Sequence, residues 1–392
     1  MTKKAAYVVF GKDPDPGAIS QMEDAVSLSV AVKGALMPDA HMGYGLPIGG
    51  VLAVKGAVIP YAVGVDIACR MKLSVLSMSF ENYSSHKQRF REAIETRTKF
   101  GIGEEFSRPR QHRVMDEDWN ISPIVRSLKD TAHKQLGTSG SGNHFAEFGK
   151  LTLTREDIGL KPGEYIAFLT HSGSRGTGAQ IADHYSNLAK RLHPELGKPL
   201  NNLAWLDMKK GDGIEYFNAM ELMGRYASAN HELIHDAVLD FLGETALVTI
   251  ENHHNFAWKE KIGLQDVIVH RKGATPAGKG VLGIIPGSMA DPGFIVRGLG
   301  NEDSLKSAAH GAGRRMSRNA ALKQFAFKDL QDIMQKKQIT LISAGLDEIP
   351  MAYKSIEDVM DQQKGLVEIV AKFEPKLVKM APPDRKRSGR RR

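Results

Sequence analysis

The chain of 392 residues carries one cysteine, Cys69. A single thiol cannot close an internal disulfide, which excludes a disulfide-stapled scaffold and points to a reducing, cytoplasmic setting. No stretch approaches the ~18 consecutive apolar residues of a membrane span, so no membrane partner is expected. The start, Met1-Thr2-Lys3-Lys4, is basic, but the apolar part that follows, Ala5 to Phe10, is short and gives way to charged turn residues. It predicts a first strand and not a signal peptide. There is no internal repeat and no low-complexity linker before the C-terminal tail. The body also lacks a surplus of either charge. The formal net charge is +8, and much of it comes from Arg385, Lys386, Arg387, Arg390, Arg391 and Arg392, set against Asp384. Charge alone therefore does not mark the body as a nucleic-acid binder. The tail has the composition of a solvated terminus and equally of a phosphate-seeking arm.

What is present is ordinary in bulk. A hydrophobic content of 42% and a charged content of 25% fit a globular chain, long enough for one large core or two fused units. Apolar patterning predicts strands at 48–54, 72–80, 165–170, 247–251 and 281–285, and helices over 177–192 and within 213–243. Strands and helices do not alternate strictly, so the fold class is α+β or mixed α/β. Polar motifs sit at the ends of apolar strands, where a sheet can gather them around one pocket.

Four histidines lie in short runs of Gly, Ser, Asn or Arg and not on apolar stripes: His144, His171, His254 and His310. Asp66 and Cys69 are three apart in one loop. Imidazole and thiolate suit soft or borderline metals, and carboxylate adds a harder oxygen. A lone cysteine is commonly an inert core residue, and the histidines tip the balance toward a metal site. His231-Glu232-Leu233-Ile234-His235 has the spacing of a metalloprotease helix. It falls mid-helix with no third ligand in sight, and these histidines are expected on a helix surface or interface. Gly278 to Gly283 matches a dinucleotide fingerprint in letters but precedes a strand instead of opening a helix. Gly273 to Lys279 approaches a phosphate loop, with Gly280 where Ser or Thr would hold magnesium. His310 is followed by Gly311-Ala312-Gly313-Arg314, with Arg315 and Arg318 nearby. It reads either as a nucleophile toward phosphorus with guanidinium support or as a glycine-capped histidine at a helix entry.

Taken in order, eight segments resemble the RtcB family of RNA ligases. They are Met37 to Val51, Val63 to Cys69, Gly137 to Phe145, His171 to Gly176, His254-Asn255, Lys272 to Thr275, Pro286 to Met289, and His310 to Arg318. The resemblance spans nearly the whole chain. It implies a single α+β domain over residues 1–380 with mixed sheets around a central metal and nucleotide cleft, followed by a basic tail at 381–392. It implies two Mn²⁺ ions held by Asp66, Cys69, His144, His171 and His254, with Cys69 bridging, and His310 taking GMP from GTP. Guanylate contacts would come from Asn143, Glu147, His254, Asn255, Pro286, Gly287, Ser288, Met289, His310, Gly311, Ala312, Gly313 and a C-terminal lysine, Lys379. The implied reaction joins a 3′-phosphate or 2′,3′-cyclic phosphate RNA end to a 5′-hydroxyl end, in RNA repair or tRNA splicing. RNA with broken ends and GTP would be the partners, with room for an accessory activator protein. Two positions depart from the family: Arg70 stands where Gly is common, with a change of access to the metal loop or a phosphate contact expected, and Gly293 stands where Ser is usual.

Two other readings compete. A metal-dependent phosphoesterase that opens cyclic phosphates needs the metal ligands but neither His310 nor Lys379. A non-catalytic RNA binder would rely on the tail and tolerate loss of Cys69. Deleting residues 384–392 is expected to raise the KM for RNA and flatten the dependence of log KM on log salt; an unchanged slope would make the tail a bystander.

Overall fold

The computed structural model describes residues 4–382; most of the expected basic tail lies outside the described residues. Two sheets form the frame. A five-stranded sheet runs in the order Ala6–Val9, Ala31–His41, Ile48–Val54, Gln265–Lys272, Asn255–Ile262. A larger sheet runs Leu282–Ile285, Gly293–Gly298, Val367–Met380, Phe145–Leu153, Gly163–Ser172, Arg70–Ser79, Ala246–His253. Its two edges approach each other. The Asn252 amide on one edge accepts from Ile284 N–H at 2.9 Å on the other and donates to the Ile284 carbonyl at 3.4 Å. The sheet is thereby nearly closed, which removes most of its exposed edge. Mixed helices and sheets in a single domain match the α+β expectation. No helix among the described residues is long and apolar enough to cross a membrane.

Alternation along the strands divides the larger sheet into two faces. Met71, Leu73 and Val75 point inward with Leu151, Leu169, Ile250 and Phe373. Leu76, Phe148 and Phe168 point outward, under the helices Tyr83–Arg97 and Gly211–Leu242. In antiparallel pairs, residues directly opposite share a face. One inward row therefore crosses five strands as Met380, Phe145, His171, Met71 and Asn252, and the next row, outward, is Lys379, Ala146, Thr170, Lys72 and Glu251.

The outward row explains the metalloprotease-like helix. The helix Gly211–Leu242 has 32 residues, about 48 Å at 1.5 Å per residue. It lays His231 and His235 on the sheet, and both are buried rather than on a helix surface. Thr170 Oγ1 bonds His231 Nδ1 at 2.8 Å and His235 Nε2 at 2.9 Å, and Ser74 Oγ bonds His235 Nδ1 at 2.8 Å. Burial drives both rings well below the usual histidine range, so they stay neutral. Glu232 faces outward to His112. This is a polar joint between helix and sheet, with three of its four ring nitrogens bonded to hydroxyls and His231 Nε2 buried without a partner. Thr170→Val should leave two buried imidazole nitrogens without partners and lower unfolding free energy by about 2 kcal/mol. Equilibrium urea denaturation checks this, and chelation should leave the midpoint shift between the two proteins unchanged.

Candidate metal centre and nucleotide cleft

Each candidate ligand is positioned by a different local device. Asp66 and Cys69 occupy a tight turn closed by Cys69 N–H donating to the Asp66 carbonyl at 3.2 Å, with Ala68 in the left-handed region at φ 57°. Neighbouring strands pin the turn: Ala68 N–H donates to the Asn255 carbonyl at 2.7 Å, and His254 N–H to the Cys69 carbonyl at 3.0 Å. His171 is the penultimate residue of its strand and takes the inward position because Thr170 takes the outward one. His144 directly precedes the strand Phe145–Leu153. Gly173 is required beside them, since a Cβ there would collide with the Asp66 carboxylate.

The side chains converge. Cys69 Sγ is 3.1 Å from His171 Nε2 and 3.4 Å from His144 Nε2. Asp66 Oδ2 is 3.0 Å from His144 Nε2, and His171 Nε2 is 3.3 Å from His254 Nε2. Such separations suit the edges of a coordination shell whose bonds are about 2.0–2.3 Å. His171 Nδ1 lies 3.1 Å from the Asn143 carbonyl, an oxygen that only accepts, so that nitrogen carries the proton and Nε2 offers its lone pair. Burial lowers all three imidazoles, His171 to about 3, and keeps them neutral donors. Burial also acts to raise Asp66, but the neighbouring His144 and Arg175 outweigh it and hold the carboxyl at about 2. Burial and the Asp66 charge push the Cys69 thiol up; a cation among these donors would reverse that sign. Asp66 Oδ1 and His254 Nδ1 are buried without partners. The thiol of Cys69 and the imidazoles of His144 and His171 lie mutually within 4.8 Å, with Asp66 and His254 at their flanks, a donor set that fits a divalent cation of borderline softness.

His310 extends this row of rings. Centroid separations are 5.0 Å for His144–His171, 5.1 Å for His171–His254 and 4.9 Å for His254–His310. His310 follows the short strand Ser307–Ala309 and opens no helix; the next begins at Arg318. Asp39, fully buried, accepts from His310 Nδ1 at 2.7 Å and from its backbone N–H at 3.1 Å. The proton is therefore on Nδ1, and Nε2 is free. Nothing in the local sequence marks Asp39 except its place in the Met37 to Gly45 run.

Beyond His310 opens a cleft of about 220 Å³. Its lining includes Asn143, Glu147, His254, Pro286, Gly287, Ser288, Met289 and the run His310 to Gly313, as the sequence suggests, together with Gly293 and Met380. Burial raises the Glu147 carboxyl well above its usual range.

Four side chains stand elsewhere than the sequence suggests. Lys379 belongs to the outward row, and Met380 takes the cleft position. The Lys379 ammonium donates to the carbonyls of Ile94 at 3.3 Å and Glu95 at 3.4 Å, where it complements the end of the helix Tyr83–Arg97. The Asn255 side chain does not line the cleft; it donates to the Asp66 carbonyl at 3.2 Å and accepts from Gly273 N–H at 2.8 Å. Arg70 neither opens the metal loop nor reaches phosphate, because it is buried outward against Glu251 and the Gly224 carbonyl. Arg314 lines the cleft, but its guanidinium is committed to Glu348, Tyr353 and the carbonyls of Met316 and Asp347. Arg175 stands beside His144 instead, at 3.4 Å.

Gly173→Ala should displace Asp66 and weaken divalent-cation binding by about tenfold or more. Calorimetric titration with Mn²⁺ and thermal melts at rising Mn²⁺ read this out; equal affinity would remove Asp66 from the cation site.

Comparison with known proteins agrees with this architecture. A family model described as tRNA-splicing ligase RtcB matches residues 21–124 and 117–380. The RNA-splicing ligase RtcB of Escherichia coli strain K12 is 35% identical over 369 residues, covering 86% of this chain and 87% of that protein. The tRNA-splicing ligases RtcB of Methanococcus maripaludis and Thermococcus kodakarensis are 32% and 28% identical, covering 86% and 87% of this chain. With a matching model across most of its length and relatives of this identity and coverage, the chain belongs to the RtcB family.

Proposed function

We propose that this protein is an RNA ligase that consumes GTP and joins a 3′-phosphate or 2′,3′-cyclic phosphate RNA end to a 5′-hydroxyl end. Relatives named as RNA-splicing and tRNA-splicing ligases support the class of reaction. The observation that carries the finer reading is the His310–Asp39 pair one ring away from the donor cluster. Asp66, Cys69, His144, His171 and His254 would hold Mn²⁺, and the thiolate has lone pairs enough to bridge two ions. A cation bound there neutralises charge on phosphate oxygens.

The protein's own residues account for the order of events. Asp39 fixes the Nδ1–H tautomer, so His310 Nε2 attacks the α-phosphorus of GTP as pyrophosphate leaves. The imidazole then carries positive charge, which the Asp39 carboxylate stabilises. A 3′-phosphate oxygen of RNA displaces His310 from that phosphorus, and the ring returns to its neutral form. The RNA end now carries a good leaving group, GMP, which the 5′-hydroxyl displaces. Asn143, Glu147 and the loop Pro286 to Met289 line the space in which the guanylate would sit. A carboxylate at Glu147 would pair with the N–H edge of a guanine, and that pairing offsets the cost of ionising a buried acid. We read residues 1–380 as one ligase unit and 381–392 as an RNA-seeking arm, acting in the cytoplasm, where a single thiol ligand stays reduced.

Incubation with [α-³²P]GTP and Mn²⁺ tests the reading. The unsubstituted protein should form a covalent adduct that His310→Ala cannot form, and Asp39→Asn should form it about 10²-fold more slowly. Retained cyclic-phosphate opening with no adduct would favour the phosphoesterase instead.

A further inference from the structure

Asp39 holds two imidazoles, not one. Its carboxylate takes Nδ1 of His310 at 2.7 Å, and its backbone carbonyl takes Nδ1 of His41 at 3.1 Å. A carbonyl oxygen only accepts, so the His41 proton is on Nδ1 and the lone pair is on Nε2. His41 ends the strand Ala31–His41 and lines the same cleft as His310. No hydrogen bond to its Nε2 is formed among the described residues. Burial, aided by His310 and Lys354 and opposed by Asp39, brings the ring down to about 4, so it is in its base form at neutral pH. The charge of a bound phosphate would raise its basicity as reaction begins.

The reaction proposed above has two kinds of nucleophile. His310 Nε2 and the 3′-phosphate oxygen arrive with a free lone pair and no proton to lose. Water, in opening a cyclic phosphate, and the RNA 5′-hydroxyl are neutral and must shed a proton as they attack. His310 already serves as the guanylate carrier and Asp39 is fully buried behind it, which leaves His41 as the cleft imidazole with an open Nε2 and no other assigned task.

We propose that His41 is a second catalytic residue, the general base for the hydroxyl nucleophiles. Its Nε2 takes the proton of the 5′-hydroxyl as the new O–P bond forms and the P–O bond to GMP breaks; GMP departs with the electron pair, and His41 returns the proton to solvent. For a cyclic phosphate it takes the proton of the attacking water while the P–O2′ bond breaks, and it then gives that proton to the departing 2′-oxygen. The inference rests on the ligase reading, and the test separates the two.

The full chain with Mn²⁺ is compared with His41→Gln and His41→Ala in three assays: adduct formation with [α-³²P]GTP, transfer of GMP to a 3′-phosphate RNA, and sealing of a presynthesised RNA-3′pp5′G strand to a 5′-hydroxyl strand. The first two should stay close to the unsubstituted rates, which also shows that the variants fold. Sealing should fall by ~10²-fold or more, RNA-3′pp5′G should accumulate, and added imidazole should restore part of the sealing rate of His41→Ala. Sealing at the unsubstituted rate, or a loss that extends equally to adduct formation, would overturn the role of His41. Absence of an adduct on the unsubstituted protein would instead overturn the ligase reading itself.

Discussion

One register, carried across five antiparallel strands, decides which side chains reach the cleft. Met380, Phe145, His171, Met71 and Asn252 share the inward row, and Lys379, Ala146, Thr170, Lys72 and Glu251 share the outward one. A slip of one residue in any strand would exchange the two sets. It would turn His171 toward the helices and Thr170 toward the cation site. The near-closure of the sheet through Asn252 and Ile284 holds this register from the far edge, and the His231–Thr170–His235 joint holds it from outside.

Within that frame, the placement of single protons sets the chemistry. His171, His310 and His41 each have Nδ1 bonded to an oxygen that only accepts: the Asn143 carbonyl, the Asp39 carboxylate and the Asp39 carbonyl. Each Nε2 is thereby left with its lone pair, one toward the donor cluster and two toward the cleft. Burial keeps the rings of His171 and His41 neutral, so a desolvated pocket and fixed tautomers act together. Polar and charged side chains in such a place are costly unless paired. Asp66 Oδ1 and His254 Nδ1 are buried without hydrogen-bond partners beside the Cys69, His144 and His171 cluster.

Much of this is legible in the amino-acid order. The strands at 48–54 and 72–80, the helices over 177–192 and within 213–243, and the grouping of Cys69, His144 and His171 follow from periodicity, from donor chemistry and from the resemblance of eight ordered segments. The order of residues also exposes the false motifs, because the glycines at 278–283 precede a strand and the His231/His235 pair lacks a third ligand. What sequence could not supply is direction. Lys379 and Met380 are neighbours in sequence on opposite faces of one strand, and only the pairing with Phe145 and Ala146 says which of them enters the cleft. Arg70 follows Cys69 directly, yet strand alternation turns it away to Glu251. Arg314 reads as a phosphate ligand until Glu348, 34 residues later, is found against it.

The sequence by itself therefore determined the fold class and the family, since these depend on residue types and their order. Tertiary structure alone decided that Asp39 serves His310 and His41, that Lys379 caps a helix, and that the His231/His235 pair is a joint and not a ligand pair. Each of those outcomes depends on contacts between segments far apart in the chain, and on which face of a strand a side chain occupies once its neighbours are paired.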